Sequence, residues 1–305
     1  MSILIFGHKN PDTDSVISSL IMEDFCRQQG IDAKACMLGE VSLETQYILD
    51  YLNVEAPTYL DKVEAGQEVI LVDHNEFGQS VDGIEEATII RVVDHHRVAN
   101  FNTAGPLDMR LMPVGCTATI LNMLYKENGL TIDKKVATMM VSAICSDTLL
   151  FKSPTTTKVD ETVARELAAE FDIDLETYAM EMLKAGTDLS SKTDEEVMSI
   201  DSKQFSVGDR LFEVAQVNTA DIDDLVETRL EALTNVMEAK IEKDGLGMFL
   251  LMVTDIVNSN SLLVPRGNAE EIEKFEQNFN TKLENGQVLL EGVVSRKKQI
   301  VPNLK

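Results

Sequence analysis

All four histidines of the chain lie within its first hundred residues, and each has a carboxylate residue close to it in sequence. The segment HKNPDTD occupies residues 8–14, DHN occupies residues 73–75 and DHH occupies residues 94–96. A further aspartate lies in CSDT, at residues 145–148. Imidazole combined with carboxylate favours manganese, cobalt, iron or zinc, whereas oxygen ligands alone favour magnesium or calcium. These segments are therefore candidates for a transition-metal site.

Short apolar runs precede three of these segments. Ile3–Phe6, Glu68–Val72 and Thr88–Val93 resemble buried parallel strands, and the last two are rich in β-branched residues. Helical patterns are predicted over residues 16–29, 116–127, 134–144, 159–171 and 175–184. Strands that alternate with helices predict a doubly wound, mainly parallel α/β sheet. Because parallel strands bring their carboxyl ends to one edge, the three segments are expected to converge there.

The spacing of the aspartates indicates more than one ion. Asp12 and Asp14 are two residues apart, so in an extended loop they point in different directions and can serve two neighbouring ions. Two cations about 3.5–4 Å apart can hold a hydroxide and phosphoryl oxygens together. Each motif alone has an ordinary explanation, since Asp-x-Asp is a common helix cap or turn and Asp147 can be a solvated carboxylate. Their coincidence at three strand ends favours a binuclear site.

The charge of the chain restricts its partners. It has 52 acidic and 27 basic residues, a formal net charge of −25. A field of that sign repels nucleic acid and anionic membranes, and the aromatic content of 5% offers few platforms for stacked bases. Because a polyphosphate would be repelled as well, any anion site needs local positive charge from metal ions or from clustered lysine and arginine.

Other features predict a soluble, cytoplasmic protein. Cys26, Cys36, Cys116 and Cys145 are widely separated, which favours reduced thiols over disulfides or a zinc site. The apolar run at the N-terminus lacks the basic start and long apolar centre of a signal peptide. No apolar run reaches the roughly 18 residues that a membrane span requires.

Longer motifs carry a family resemblance. With its HKNPDTD, DHN and DHH segments, the chain resembles the DHH phosphoesterase superfamily. Within that superfamily it is similar, over nearly its whole length, to the family II (manganese-dependent) inorganic pyrophosphatases. Further matches are GCTAT at 115–119, SDT at 146–148, AQVNT at 215–219 and SRKKQ at 295–299. The DHH triplet alone marks only the superfamily, whereas its combination with SRKK is more specific to pyrophosphatases.

This resemblance implies hydrolysis of diphosphate to two orthophosphates, by in-line attack of a hydroxide that bridges two Mn²⁺ or Co²⁺ ions. Further Mg²⁺ or Mn²⁺ would arrive with the substrate. The implied ligands are His8 and Asp12 for one ion, Asp14, His95 and Asp147 for the other, and Asp73 for both. Besides Asp73, the implied catalytic residues are the substrate-binding groups His96, Lys203, Arg296 and Lys297. His74 is expected beside the site without binding an ion, and a homodimer is implied.

The length of 305 residues favours two domains. The polar segment GTDLSSKTDE at 186–195 is the best linker candidate. We predict a metal-binding domain at 1–187, a hinge at 188–195 and a smaller C-terminal α/β domain with a mixed sheet at 196–305. Since the implied phosphate-binding cations lie in the second domain, the active site is expected in the cleft between the domains. Closure at the hinge would bring these cations onto the anion.

Two alternative functions remain open from the sequence. The first is an exopolyphosphatase or another phosphoesterase of the superfamily, acting on short polyphosphate or oligonucleotides. The second is a non-catalytic metal-binding module, which predicts a broken ligand position; none of the implied positions is broken. The segment from Gly115 to Thr117 can present N–H groups to the site, but an ordinary helix start is the simpler interpretation.

Overall fold

The computed structural model describes residues 2–208 and 210–304. The chain divides into two compact units, Met1–Gly186 and Thr187–Lys305, so the division lies beside the predicted limit at residue 187. No helix in the described part of the chain is long and apolar enough to cross a membrane. The four cysteines are buried free thiols.

A parallel sheet forms the centre of the first unit. Its strands are β1 (Ile3–Phe6), β2 (Ala33–Met37), β3 (Thr58–Tyr59), β4 (Glu68–Val72), β5 (Thr88–Asp94) and β6 (Asp108–Leu111). They lie in the order β3-β2-β1-β4-β5-β6, and every neighbouring pair is parallel. The order reverses between β1 and β4, which is where ligands bind in open α/β sheets. The predicted fold class is confirmed.

Six α-helices accompany this sheet in the described part of the first unit. They are α1 (Thr13–Gln28), α2 (Leu43–Leu52), α3 (Thr117–Asn128), α4 (Lys134–Asp147), α5 (Lys158–Glu170) and α6 (Leu175–Ala185). The sequence analysis missed α2, which Ser42 caps by accepting the N–H of Thr45. It also ended α4 three residues early, because Asp147 is the last residue of that helix and does not follow it. The missed strands β3 and β6 are short edge strands.

The second unit contains a mixed sheet. Its strands are β7 (Ser202–Val207), β8 (Arg210–Thr219), β9 (Met248–Asp255), β10 (Asn260–Gly267) and β11 (Val288–Glu291). The order is β11-β10-β9-β8-β7, with β8 and β9 parallel and the other pairs antiparallel. Its helices are α7 (Asp194–Ser199), α8 (Ile222–Asp244) and α9 (Ala269–Asn278), followed by short helical turns at Arg296–Ile300 and Val301–Leu304.

Part of the predicted hinge at 188–195 is ordered against the second unit. Helix α7 begins at Asp194, and Thr193 and Glu196 form a reciprocal capping box at its start. Arg229 of α8 donates to the carbonyl oxygens of Leu189 and Lys192, each at 2.9 Å, and to the Asp194 carboxylate at 2.6 Å. The last two residues of the predicted hinge, 194 and 195, therefore belong to helix α7. Hinge motion itself remains a prediction.

Candidate metal centre

Three adjacent strands deliver the predicted ligands to one edge of the sheet. His8 follows β1 after one glycine, Asp73 follows β4 directly, and His95 follows β5 directly. The structure brings all six predicted ligands together in two groups that share one residue. In each group, the ligand atoms lie within 4.8 Å of one another. The two groups of predicted ligands are His8, Asp12 and Asp73, and Asp14, Asp73, His95 and Asp147. A third possible group among the described residues joins Asp73 and His95 to His96.

Asp73 joins the two groups through different oxygen atoms. Its Oδ2 lies 3.4 Å from His8 Nε2, and its Oδ1 lies 3.3 Å from His95 Nε2. On the outer sides, His8 Nε2 is 3.4 Å from Asp12 Oδ2, and His95 Nε2 is 3.7 Å from Asp147 Oδ2. Asp73 is 1% exposed and has a left-handed backbone conformation (φ 59°), which aspartate tolerates better than most residues. This geometry is the one that a carboxylate bridging two ions requires.

Asp12 both caps helix α1 and directs an oxygen atom toward another candidate ligand. It is the N-cap of α1, where Oδ1 accepts the N–H of Ser15 at 3.0 Å. Its other oxygen, Oδ2, is the one that faces His8. Asp14 lies in the first turn of the same helix and is fully buried. The two aspartates therefore belong to different groups, as their spacing predicted.

Hydroxyl and amide donors hold the buried carboxylates in place. Ser15 Oγ donates to Asp73 Oδ2 at 2.6 Å, and Ser18 Oγ donates to Asp14 Oδ1 at 2.6 Å. Thr117, the first residue of α3, donates its N–H to Asp14 Oδ2 at 2.7 Å and its hydroxyl to Asp73 Oδ1 at 3.2 Å. The segment is therefore a helix start, as the simpler interpretation had it, and it also donates hydrogen bonds to two candidate ligands. In the sequence, the threonine at the predicted start of this helix was the feature that could have indicated such donors.

Glu44, on the unpredicted helix α2, connects two ligand-bearing segments. Its Oε1 accepts a hydrogen bond from the hydroxyl of Thr13 at 2.8 Å. Thr13 lies between Asp12 and Asp14. The same oxygen accepts the hydroxyl of Ser146, which precedes Asp147. Burial raises the pKa of Glu44. Sequence reasoning could not find this residue because nothing in the local pattern joins residue 44 to residue 146.

The two candidate ligand histidines turn the same ring nitrogen toward the carboxylates. His8 Nδ1 donates to the carbonyl oxygen of Lys9 at 2.9 Å, and His95 Nδ1 donates to that of Val114 at 3.0 Å. These bonds fix the ring orientation and leave Nε2 for an ion.

His74 is engaged through both ring nitrogens. Its Nδ1 donates to the carbonyl oxygen of Val72 at 2.9 Å, and its Nε2 lies 3.0 Å from Ser80 Oγ. Burial lowers the pKa of His74 to about 4, so this ring is neutral. It offers no free nitrogen to an ion.

His96 differs from the other histidines because its side chain is 44% exposed. Asp94 Oδ1 accepts both the backbone N–H of His96, at 2.9 Å, and its ring Nδ1, at 3.0 Å. Asn75 donates to the other Asp94 oxygen at 2.6 Å. Asp94 and Asn75, which are both buried, therefore orient His96 with Nε2 pointing away from the pair. The sequence analysis gave neither of them a role.

The crowded carboxylates create a strong demand for positive charge. Burial and the neighbouring Asp73 raise the pKa of Asp14 to about 7, and burial with Asp14 raises that of Asp147 well above its usual value. Burial alone would lower the pKa of His8, but Asp12 and Asp73 outweigh it and raise the value to about 10. In the same way Asp73 raises the pKa of His95 to about 9. Without an ion the cluster holds protons that divalent cations would replace, and two imidazoles with four carboxylates fit manganese or cobalt.

The three predicted phosphate-binding cations lie in the second unit. Lys203 on β7 pairs in register with Val214 on β8, and Arg296 Nη1 donates to the carbonyl oxygen of that valine at 3.3 Å. Lys297 follows Arg296, and both lysines are exposed. Arg296 is only 8% exposed and also contacts Asp201. Lys203 and Arg296 therefore share one end of the β7–β8 pair.

Two family models match consecutive parts of the chain. The first, the N-terminal domain of the DHH family, matches residues 2–144. The second, the DHHA2 domain, matches residues 180–305. The first match contains His8, Asp12, Asp14, Asp73 and His95, and the second contains all three candidate phosphate-binding cations.

Relatives of known sequence or structure match the whole chain. A protein of Exiguobacterium sp. named "Probable manganese-dependent inorganic pyrophosphatase" is 52% identical, over 99% of this chain and 97% of its own length. A Staphylococcus epidermidis protein of the same name is 52% identical, over 98% and 96%. A crystal structure of the "Methanococcus jannaschii putative family II inorganic pyrophosphatase" has a TM-score of 0.76 and 36% identity. The match covers 100% of this chain and 98% of that one.

Proposed function

The chain belongs to the family II, manganese-dependent inorganic pyrophosphatases, and from that premise we propose that it hydrolyses inorganic pyrophosphate to two orthophosphate ions. The observation that carries the proposal is the position of Asp73, whose two oxygens face two separate groups of ligand atoms. A single structural ion would need only one of these groups. The similar proteins of matching length are named as manganese-dependent enzymes, so manganese is the proposed ion.

We propose that two ions bind in each chain. His8 and Asp12 would hold one, Asp14, His95 and Asp147 would hold the other, and Asp73 would contact both. When bound, the ions would lower the pKa of a water nucleophile and neutralise charge on the phosphoryl oxygens. Cobalt has the same ligand preferences and would substitute for manganese. The arrival of further Mg²⁺ or Mn²⁺ with the substrate remains a prediction.

The residues of the chain have distinct parts in this scheme. Ser15 and Thr117 donate to the two oxygens of Asp73 and thereby hold the orientation of this carboxylate. Asp94 fixes the ring of His96 through Nδ1. Because Nδ1 is held in this way, Nε2 is the atom that can donate a hydrogen bond or a proton to the departing phosphate.

Lys203, Arg296 and Lys297 would bind the phosphate groups. A chain of net charge −25 repels the pyrophosphate anion, so a local group of cations is needed to hold it. The guanidinium of Arg296 offers parallel N–H donors that match phosphate oxygens, whereas the two lysines supply compact charges. This assignment rests on the match of these positions to the family.

Domain closure is part of the same proposal. The functional domains would be 1–187 and 196–305, with a hinge within 188–195. Because Arg229 holds the main chain at Leu189 and Lys192, bending within this hinge would concentrate at its N-terminal end, beside Asp188. Small-angle scattering with and without a non-hydrolysable pyrophosphate analogue tests closure, and an unchanged radius of gyration would count against it.

We also propose that the enzyme is a cytoplasmic homodimer without a nucleic-acid partner, with an edge strand of the first unit at the dimer interface. The sheet of that unit ends in β3 and β6, whose outer edges have no partner strand among the described residues. Sedimentation of the metal-loaded protein measures the oligomeric state.

The assay that tests the function uses three substrates. Phosphate release is measured from pyrophosphate, tripolyphosphate and a dinucleotide, after chelation and after adding back manganese, cobalt, magnesium or zinc. We expect chelation to abolish activity, and manganese or cobalt to restore it most strongly on pyrophosphate. Faster hydrolysis of tripolyphosphate or of the dinucleotide would instead support a different phosphoesterase.

A further inference from the structure

Arg296 is held far more tightly than the other two candidate phosphate-binding cations. Its Nη1 donates to the main-chain carbonyl oxygen of Asp201 and, at 3.3 Å, to that of Val214. Its Nη2 donates to the Asp201 carboxylate at 2.6 Å. Among the described residues, no hydrogen bond or ion pair fixes the ammonium group of Lys203 or Lys297. Asp201 therefore distinguishes the arginine from both lysines.

The stereochemistry of the guanidinium leaves one edge available. Arginine has five N–H donors in a fixed plane. The three contacts above occupy both donors of Nη1 and one donor of Nη2, so Asp201 covers the edge formed by the two terminal nitrogens. The remaining donors, on Nε and Nη2, are parallel and form the second edge. A pair of parallel N–H groups is the arrangement that binds a phosphate group through two oxygens.

The main chain of Arg296 is anchored to the same strand pair. Its N–H donates to the side-chain oxygen of Gln216 on β8 at 3.4 Å. The amide nitrogen of Gln216 donates to the carbonyl oxygen of Val294 at 3.0 Å. The backbone N–H of Gln216 in turn donates to the carbonyl oxygen of Asp201 at 2.9 Å. Both ends of the arginine side chain are thus tied to β8 and to the residue that precedes β7.

We propose that Asp201 is a positioning residue for substrate binding, which directs the Nε–Nη2 edge of Arg296 toward a phosphate group. The inference rests on the proposed function, in which Arg296 binds substrate. A buried guanidinium needs a partner, and Asp201 supplies one without using the edge that the phosphate would take. Because the fork is already oriented, binding does not have to immobilise a flexible side chain.

A double-mutant cycle tests this role on the metal-loaded enzyme. Asp201→Ala is expected to lower kcat/KM for pyrophosphate about tenfold, mainly through KM, because a misdirected fork binds phosphate poorly. Asp201→Asn keeps an acceptor oxygen and is expected to lose only about threefold. In an Arg296→Ala background, Asp201→Ala should cause no further loss. Calorimetric binding of imidodiphosphate, a non-hydrolysable analogue, should show the same pattern.

Glu271→Gln is the matched control for a purely structural ion pair. Glu271 accepts from Arg210 at 2.8 Å in the same unit, and it is 6% exposed. This variant is expected to lower the melting temperature while leaving the binding of imidodiphosphate unchanged. Manganese content should be equal in all the variants, since the candidate ligands lie in the first unit.

The outcomes separate the inference from the function on which it depends. If Arg296→Ala lowers kcat/KM but Asp201→Ala does not, the positioning role is wrong and the function stands. If the two losses add in the double variant, Asp201 acts independently of Arg296 and the inference is also wrong. If Arg296→Ala itself leaves kcat/KM unchanged, the phosphate-binding assignment of Arg296 fails, and the inference fails with it.

Discussion

The candidate metal centre of the first unit and the cationic group of the second are built in opposite ways. The metal centre is assembled from the ends of adjacent parallel strands, and hydrogen bonds fix its buried carboxylates before any ion arrives. In the cationic group, Lys203 and Lys297 are exposed, and only Arg296 is fixed. An ion imposes strict ligand geometry, whereas a phosphate group accepts donors from many directions. Fixed side chains are therefore found at the candidate ligands and at Arg296, and not at the two lysines.

Asp73→Ala is expected to have the largest effect, because it should remove both metal binding and activity from the first region. The variant removes the proposed bridge, so both ions should bind weakly. Losing several kcal/mol of transition-state stabilisation corresponds to a fall of about 10³-fold or more in kcat. Metal analysis after gel filtration and phosphate release measure the two effects together. Asp82→Asn, at an exposed surface pair with Lys9, is the control and should retain both ions and activity.

Metal binding to the first region should depend on pH, because an ion must displace protons from the candidate ligands. In the ion-free protein the pKa is about 10 for His8 and about 9 for His95, so both rings carry a proton at pH 7 that an ion must displace. Apparent affinity for Mn²⁺ should therefore rise with pH, by about tenfold per unit for each displaced proton between pH 6 and 8. Calorimetry in buffers of different ionisation enthalpy measures the released protons. Affinity that is constant over this range would contradict the electrostatic description.

Arg296→Ala should weaken substrate binding by the second region and leave metal binding by the first region unchanged. A charge-assisted hydrogen bond contributes about 1.5–3 kcal/mol, so kcat/KM should fall roughly 10- to 100-fold. Manganese content should not change, because none of the candidate ligands lies in this unit. Lys274→Ala, which removes a half-buried lysine of α9 that pairs with Glu270, is the charge-matched control. Loss of manganese in the arginine variant would show that the two regions are not separable in this way.

Lys203→Ala should have the smallest effect of these variants, because Lys203 is exposed whereas Arg296 is buried and fixed. An exposed cation in high dielectric contributes about 1 kcal/mol or less, so KM should rise only a few-fold. Salt screens exposed charges, and the effect should therefore shrink between low and high ionic strength. Steady-state assays at two salt concentrations measure it. A loss as large as that of the arginine variant, insensitive to salt, would mean that this lysine is fixed in the working enzyme.

The sequence predicted that the candidate ligands would meet, because two simple regularities determine where they lie. Apolar runs such as Glu68–Val72 identify buried strands, and parallel strands must end at one edge. Residues that directly follow those runs, such as Asp73 and His95, are therefore brought together by topology alone. The spacing of Asp12 and Asp14 added the two-group arrangement. These inferences needed only local patterns and one rule of sheet geometry.

Contacts between distant residues could not be predicted in the same way. Glu44 meets Ser146, and Asp201 meets Arg296, across about a hundred residues with no local pattern to signal either pair. The first two residues of helix α7 were predicted as linker because the contact that orders them comes from Arg229, which lies on another helix. Strand β3 is too short, at two residues, for any periodicity to show. Local sequence indicates ligands and buried strands, but not the polar contacts that fix them.

Anomalous diffraction from crystals grown with manganese tests most directly whether two ions share Asp73. Two manganese peaks are expected in each chain, one contacted by Asp73 Oδ2 with His8 and Asp12. The other should be contacted by Asp73 Oδ1 with Asp14, His95 and Asp147. A single peak, or two peaks that do not share Asp73, would contradict it.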